Sequence, residues 1–192
     1  MTPFEYVTVL ISIILGLGIT QIVTGVADMI HQWERIKLYW PHLLWVIFVF
    51  FLHVEEWWVI YDLRQIEVWE MPMFLFVILY PINLFILARI LFPFGSRNSQ
   101  TDFKEFYFNN FRKFFIWVIL LSLLSFLENL FVHHYSIWEQ PIQIFLMIGI
   151  SFLTYKNYKA EWVHKILVIV LSILLLIALL FIEKPLTFIS IP

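Results

Sequence analysis

The residues of this sequence that could carry chemistry are polar side chains set inside apolar segments. Glu55 and Glu56 are adjacent, and Glu128, which is followed by Asn129, lies in a later segment. His53 precedes Glu56 by three residues, so the two share one face of a helix. Neighbouring carboxylates in apolar surroundings favour a shared proton or a bound cation, because their like charges repel. These five residues are our candidates for binding an ion or a proton.

Other interpretations of the same residues stay open. Trp57 and Trp58 follow the glutamate pair, and tryptophan is typical of the membrane interface. The pair would then lie about 2–5 Å below that interface, within reach of headgroups or of Arg64. A di-iron site would need Glu-x-x-His on two helices. A haem between His53 and His133 would join levels about 12 Å apart. We therefore predict no metal ligands and no cofactor.

The first apolar segment carries a repeat of small or polar residues at every fourth position. Its members are Thr8, Ser12, Gly16, Thr20, Thr24 and Asp28, and Gly18, Gln21 and Gly25 widen this small, polar face. Small residues at this spacing let two membrane helices approach closely. The pattern predicts a tight helix–helix seam, either within one protomer or between protomers. The alternative is that these hydroxyls line a path. A seam would not tolerate bulk, whereas a path would not tolerate the loss of polarity.

The composition shows what kind of element must hold these residues. Of the 192 residues, 62% are hydrophobic and 14% are charged, against about half and a quarter in soluble domains. So apolar a chain needs the lipid bilayer as its solvent. The net charge of −2 gives no reason to expect a nucleic-acid partner. The sequence contains no cysteine, so disulfide and thiol chemistry are excluded.

The hydrophobic pattern predicts an all-α bundle of six transmembrane helices. A helix needs about 20 mostly apolar residues to cross the hydrocarbon core. The six segments are 4–30, 41–61, 71–93, 111–133, 137–155 and 162–183. The connections are short, so we expect a single transmembrane domain over residues 1–192 and no soluble domain. We expect the first helix to be central and the last one peripheral.

The distribution of lysine and arginine predicts the orientation of the bundle. Connections on one side and their flanks carry nine basic residues: Arg35, Lys37, Arg97, Lys104, Arg112, Lys113, Lys156, Lys159 and Lys165. The opposite side carries two, Arg64 and Lys184. Basic residues accumulate on the cytoplasmic side of membrane proteins. We therefore expect both termini to face away from the cytoplasm.

The connection before the fourth segment contains its own helix signal. Asp102 followed by Glu105 resembles a capping box. Aromatic residues then recur at helical spacing: Phe103, Phe106, Tyr107, Phe111 and Phe114. With basic residues between them, they predict an amphipathic turn anchored at the membrane surface. A helix that senses lipid or docks a partner is the alternative.

The opening of the chain resembles a known group of sequences. Residues 4–20 read FEYVTVLISIILGLGIT, with Glu-Tyr ahead of a serine-containing segment that ends in Gly-Leu-Gly. This resembles the N-terminus of a group of small bacterial integral membrane proteins of unknown function. The resemblance covers mainly the first segment. It implies a setting in the bacterial inner membrane, and it implies no activity and no site residues.

Three classes of function remain open at this point. The first is a channel or transporter for a cation or protons, using the acidic residues in the outer part of the bundle. The second is a non-catalytic anchor or effector subunit of a larger complex. The third is a membrane enzyme or cofactor protein, for which we find no phosphate loop or nucleophile motif. The short chain also favours a homo-oligomer, with the bilayer and a second protein as further partners.

Overall fold

A computed structural model describes residues 2–66, 68–93, 101–132 and 134–180. The protein is all-α, and 86% of this part is helical. The long helices are α1 (Pro3–His31), α2 (Trp40–Val59), α3 (Met71–Ile90), α4 (Phe103–Phe131), α5 (Pro141–Lys156) and α6 (Glu161–Leu180). Short 3-10 turns cover Trp33–Arg35, Ile60–Gln65 and Ile137–Glu139. Two-residue strands, β1 (Ile36–Lys37) and β2 (Thr101–Asp102), pair in parallel.

The lengths and apolar composition of the helices fit a multi-pass membrane protein. Five are long and apolar enough to cross a membrane: α1, α2 with the turn that follows it, α3, α4 and α6. Helix α5 is apolar but has 16 residues, or about 24 Å at 1.5 Å per residue. That is shorter than a hydrocarbon core of about 30 Å. The described chain therefore has five helices of spanning length and one shorter apolar helix.

Helices α2, α3 and α4 contact one another and form the centre of the bundle. Helix α1 packs against α3 and α2, α5 packs against α4, and α6 packs against α2. The expected peripheral position of the last helix is confirmed. The expected central position of the first helix is wrong. Its large apolar residues, such as Ile11, Leu15 and Ile22, are buried against its neighbours, and its small-residue face points away from them.

Contacts between the helix ends show that the helices alternate in direction. The strands that precede α2 and α4 pair with each other, so both helices begin at the same end of the bundle. The Tyr107 hydroxyl lies 2.9 Å from Nδ1 of His164, which places the start of α6 at that end too. At the opposite end, the rings of Phe4 and Tyr61 are 6.3 Å apart, so α1 begins beside the end of α2.

Helix α4 begins at Phe103, directly after the predicted cap Asp102, and continues into the fourth apolar segment as one helix. The Asp102 side chain caps it by accepting hydrogen bonds from the backbone N–H groups of Lys104 at 2.9 Å and Glu105 at 3.2 Å. Four of the five aromatic residues are buried in the protein core: Phe103, Tyr107, Phe111 and Phe114. The predicted membrane-surface anchor is therefore wrong, because this aromatic face packs against α2 and α6 instead of lipid.

A buried amide ties α3 to α4 near the middle of the bundle. Asn83 is 2% exposed. Its side chain is placed to donate to the Trp117 carbonyl and to accept from the Leu121 backbone N–H, both at 3.2 Å. Buried polar groups need such partners, since an unpaired amide is costly in apolar surroundings. Helix α3 also continues without a break through Pro81.

Candidate functional site

The structure brings the three predicted carboxylates together with a tyrosine. Glu56 interacts electrostatically with Glu128 and with Glu55. Tyr80, on α3, interacts with all three carboxylates. All four side chains are half-buried. We call these residues the acidic cluster; it combines side chains from the three central helices.

The alternation of helix direction explains why these residues meet. Glu55 and Glu56 lie in the last turns of α2, and Glu128 lies in the last turn of α4. Because α2 and α4 begin at the same end, their last turns both lie towards the opposite end of the bundle, where Glu56 and Glu128 interact. Tyr80 was missed by the sequence reasoning, although a tyrosine beside Pro81 inside an apolar helix is a visible signal. Its hydroxyl can donate a hydrogen bond to a carboxylate and accept one from a protonated carboxyl group.

Asn129 lies next to the acidic cluster and links two helices. Its side-chain Nδ2 donates to Oε1 of Gln140 at 3.1 Å, and its backbone carbonyl accepts from the Tyr135 backbone N–H at 2.9 Å. Gln143 makes a similar link, because its Nε2 donates to the Ser122 carbonyl at 2.8 Å. These bonds join α4 to the start of α5. Asn129 therefore positions the end of α4, which carries Glu128.

His53 packs against α1. Its side chain is fully buried, and its Nδ1 lies 2.7 Å from the Val49 carbonyl. Since a carbonyl only accepts, Nδ1 carries the hydrogen in the neutral ring and Nε2 is left as an acceptor. A Cβ atom built on Gly18 would lie 2.2 Å from this Nε2. The ring thus occupies the space that the missing side chain of Gly18 leaves free.

The small-residue stripe of α1 lies on its outer face. Ser12, Gly16, Thr20, Thr24 and Asp28 are exposed, and Thr8 is half-buried. Within one protomer these six residues pack against no other described helix. Gly18 and Gly25, which widen the predicted face, do lie in close helix contacts, and at Gly25 a built Cβ would lie 2.5 Å from the Phe92 ring. The interpretation of the stripe as a seam between protomers stays a prediction.

Two threonines of the stripe satisfy their hydroxyl groups within the helix. Thr20 donates to the Gly16 carbonyl at 2.7 Å, and Thr8 donates to the Phe4 carbonyl at 2.8 Å. Such bonds within the helix let hydroxyl side chains face lipid or another helix. The polarity of the stripe therefore does not by itself require a water-filled path.

A second buried polar cluster, which the sequence reasoning missed, lies where α2, α4 and α6 begin. Nε2 of His164 lies 2.8 Å from the Tyr158 carbonyl, so it donates there, and Nδ1 accepts from the Tyr107 hydroxyl. The Tyr39 ring packs 5.7 Å from the Tyr107 ring. Burial, with a smaller effect of the nearby Glu161 carboxylate, raises the pKa of Tyr39 to about 12. These bonds fix α6 to the central helices.

Three residues named in the sequence analysis fall outside the part of the chain that the structure describes. Arg97, His133 and Lys184 lie outside the described residues. In the part of the chain that is described, no group of three or more His, Cys, Asp or Glu side chains is arranged to hold a metal ion. Comparison with protein-family models, curated proteins and solved structures finds no match for this chain. The candidate site is therefore argued from its own geometry.

Proposed function

We propose that this protein moves protons or a cation across a membrane, and that the acidic cluster is the site where they bind. The observation that carries the proposal is the convergence of Glu55, Glu56, Glu128 and Tyr80 from the three central helices. Charged residues within membrane helices are costly, and where they occur they often mark ion or proton pathways. The three carboxylates are half-buried and interact with one another between helices, which an anchor at the interface alone would not require.

The chemistry of the cluster suits reversible binding. Three neighbouring carboxylates repel one another in low-dielectric surroundings, and a proton or a cation relieves that repulsion. The Tyr80 hydroxyl can donate to a carboxylate that has lost its proton. Asn129 holds the end of α4 through Gln140, which keeps Glu128 at the level of the α2 carboxylates. Binding and release therefore need only small changes in the cluster.

We place the protein in the bacterial inner membrane, with both termini and the acidic cluster towards the non-cytoplasmic side. The resemblance of residues 4–20 supports the first part. The excess of basic residues in the connections on the other side supports the second.

The test is ion and proton flux into liposomes that contain the purified protein. We expect wild-type flux above that of empty liposomes, and we expect Glu128→Gln and the Glu55→Gln/Glu56→Gln pair to abolish it. Glutamine keeps the size of the side chain and removes its charge. Glu70→Gln is the matched control, because Glu70 is an exposed carboxylate outside the cluster, and it should leave flux unchanged.

Two results would reject the transport proposal. One is wild-type flux no higher than that of empty liposomes for several ions and both signs of the voltage. The other is flux that survives in all of the cluster variants, which would show a path elsewhere in the bundle.

A second candidate function is that of a non-catalytic membrane subunit, and the outer face of α1 favours it. At Gly16 nothing lies within 4 Å of a built Cβ, so a second helix can approach the α1 backbone there. We propose that a second copy of this chain occupies this face and forms a homo-oligomer. A different protein at the same face would make the chain an anchor or effector subunit, and co-purification of a stoichiometric second protein would show it.

A further inference from the structure

The outer face of α4 carries two adjacent cations, Arg112 and Lys113, part of the way along the helix. Both side chains are exposed, and they point away from the aromatic residues of α4 that are buried in the core. The exposed residues that follow them at helical spacing are all apolar: Ile116, Leu120 and Leu123. The outer face of α4 therefore changes from charged to apolar directly after these two cations.

Ring contacts show how deep in the bundle the two cations lie. The centroid of the Phe114 ring is 4.9 Å from that of Trp45. Trp45 belongs to a helix of spanning length that begins at Trp40, and it lies about 7–8 Å along that helix at 1.5 Å per residue. Arg112 and Lys113 directly precede Phe114, so they lie beside a helix that has already entered its apolar span. This is the level at which the lipid headgroups meet the hydrocarbon core.

In the part of the chain that the structure describes, no carboxylate pairs with either cation. Nζ of Lys113 lies 3.5 Å from the side-chain oxygen of Asn110, which is a neutral acceptor. Other cations at this end of the bundle do have a partner, because Lys104 and Lys165 share Glu161 at 2.6 and 2.8 Å. A charge near the hydrocarbon core is costly unless it is paired. Two adjacent cations without a carboxylate therefore point to an anion supplied from outside the chain.

We propose that the outer face of α4 binds an anionic phospholipid. Its phosphate lies against Arg112, whose guanidinium group can donate two parallel hydrogen bonds to phosphate oxygens, and Lys113 adds a second positive charge. An acyl chain follows the apolar residues from Ile116 to Leu123. A zwitterionic lipid fits less well, because the cation of its own headgroup is repelled by the two basic side chains. This lipid site is separate from the acidic cluster and does not depend on transport.

The test is native mass spectrometry of the purified protein in detergent, with added phosphatidylglycerol or phosphatidylcholine. With the same acyl chains, the two lipids differ in the net charge of the headgroup. We expect the first phosphatidylglycerol to bind about 25-fold more tightly, since each basic residue near a membrane surface favours an anionic lipid about fivefold. Arg112→Gln/Lys113→Gln should remove most of this preference, whereas Arg112→Lys, which keeps the charge, should retain most of it.

The matched control is Arg35→Gln/Lys37→Gln, which removes two exposed cations next to the start of α2, at the same end of the bundle. It should leave the preference for phosphatidylglycerol unchanged. Equal losses in the two double variants would show a diffuse attraction to the basic end of the protein and would overturn the site on α4. Equal binding of the two lipids by the wild type would also overturn it, even if a double variant does not fold, and would leave an acidic protein segment as the occupant of this face.

Discussion

At the scale of single residues, a close contact between Gly18 and His53 joins α1 to α2. Gly18 provides the space that the fully buried ring of His53 occupies. A side chain at position 18 would overlap this ring. The ring cannot move freely, because its Nδ1 is bound to the Val49 carbonyl. Gly18 is thus required for close approach, and its conformational freedom is not needed within the helix.

We predict that Gly18→Ala destabilises the protein by about 1–3 kcal/mol, the usual cost of overpacking a filled site. The matched control is Gly149→Ala, because Gly149 is also helical and has nothing within 4 Å of a built Cβ. At this position the higher helix propensity of alanine should raise the free energy of unfolding by up to about 1 kcal/mol. The measurement is the free energy of unfolding in detergent. Equal effects at the two positions would contradict the assignment of His53 to the α1–α2 contact.

At the scale of elements, α1 has two different faces. One carries Ile11, Leu15 and Ile22 and is buried against α2 and α3. The other carries Ser12, Gly16, Thr20 and Thr24 and is exposed. An outer face of small residues offers lipid little contact area. It lets a second helix approach closely, which is how small residues stabilise helix pairs in membranes.

We predict that Gly16→Leu shifts the protein from oligomer to monomer, because the larger side chain holds a second α1 helix away. Gly149→Leu is the control, since it places the same side chain at another exposed helical glycine. The readout is the mass of the protein–detergent complex by light scattering. Chemical cross-linking in membranes with an amine-reactive reagent is a second measurement. If Gly16→Leu leaves the oligomer intact, or if the wild type is already monomeric, the α1 face is not the interface.

At the scale of the whole molecule, the alternation of helices separates two polar regions. The acidic cluster lies towards the ends of α2 and α4, and the second buried polar cluster, around His164 and Tyr107, lies where α2, α4 and α6 begin. The Lys104–Glu161 ion pair, at 2.6 Å, also lies at the latter end. The acidic cluster is therefore separated along the bundle from the buried contacts that hold α6 in place.

We predict the orientation of these two ends from the basic residues and test it with single cysteines. The wild-type chain has no cysteine, so each variant reports one position. Val68→Cys, in the connection between α2 and α3, should react with a membrane-impermeant thiol reagent in intact cells. Lys159→Cys, between α5 and α6, should react only after the membrane is permeabilised. Both positions are exposed, and the reverse pattern of labelling would invert the proposed topology.

The sequence by itself determined the all-α class, the membrane setting and most of the helix positions. This follows because an apolar segment in lipid must satisfy its backbone hydrogen bonds within itself, so length and hydropathy suffice to predict a helix. The placement of Glu55, Glu56 and Glu128 towards one side of the bundle was also accessible, since it depends only on the second and fourth helices running in the same direction.

Only the tertiary structure decided which helix faces pack together. The small-residue stripe of α1 and the aromatic face of α4 are both regular patterns, yet the first faces outward and the second is buried. Tyr80 interacts with the acidic cluster, and the Tyr107 hydroxyl is hydrogen-bonded to His164, although these residues are far apart in the sequence. In a bilayer nearly every face is apolar, so hydropathy does not separate the face that meets protein from the face that meets lipid. Shape complementarity decides that choice, and it exists only once the helices are together.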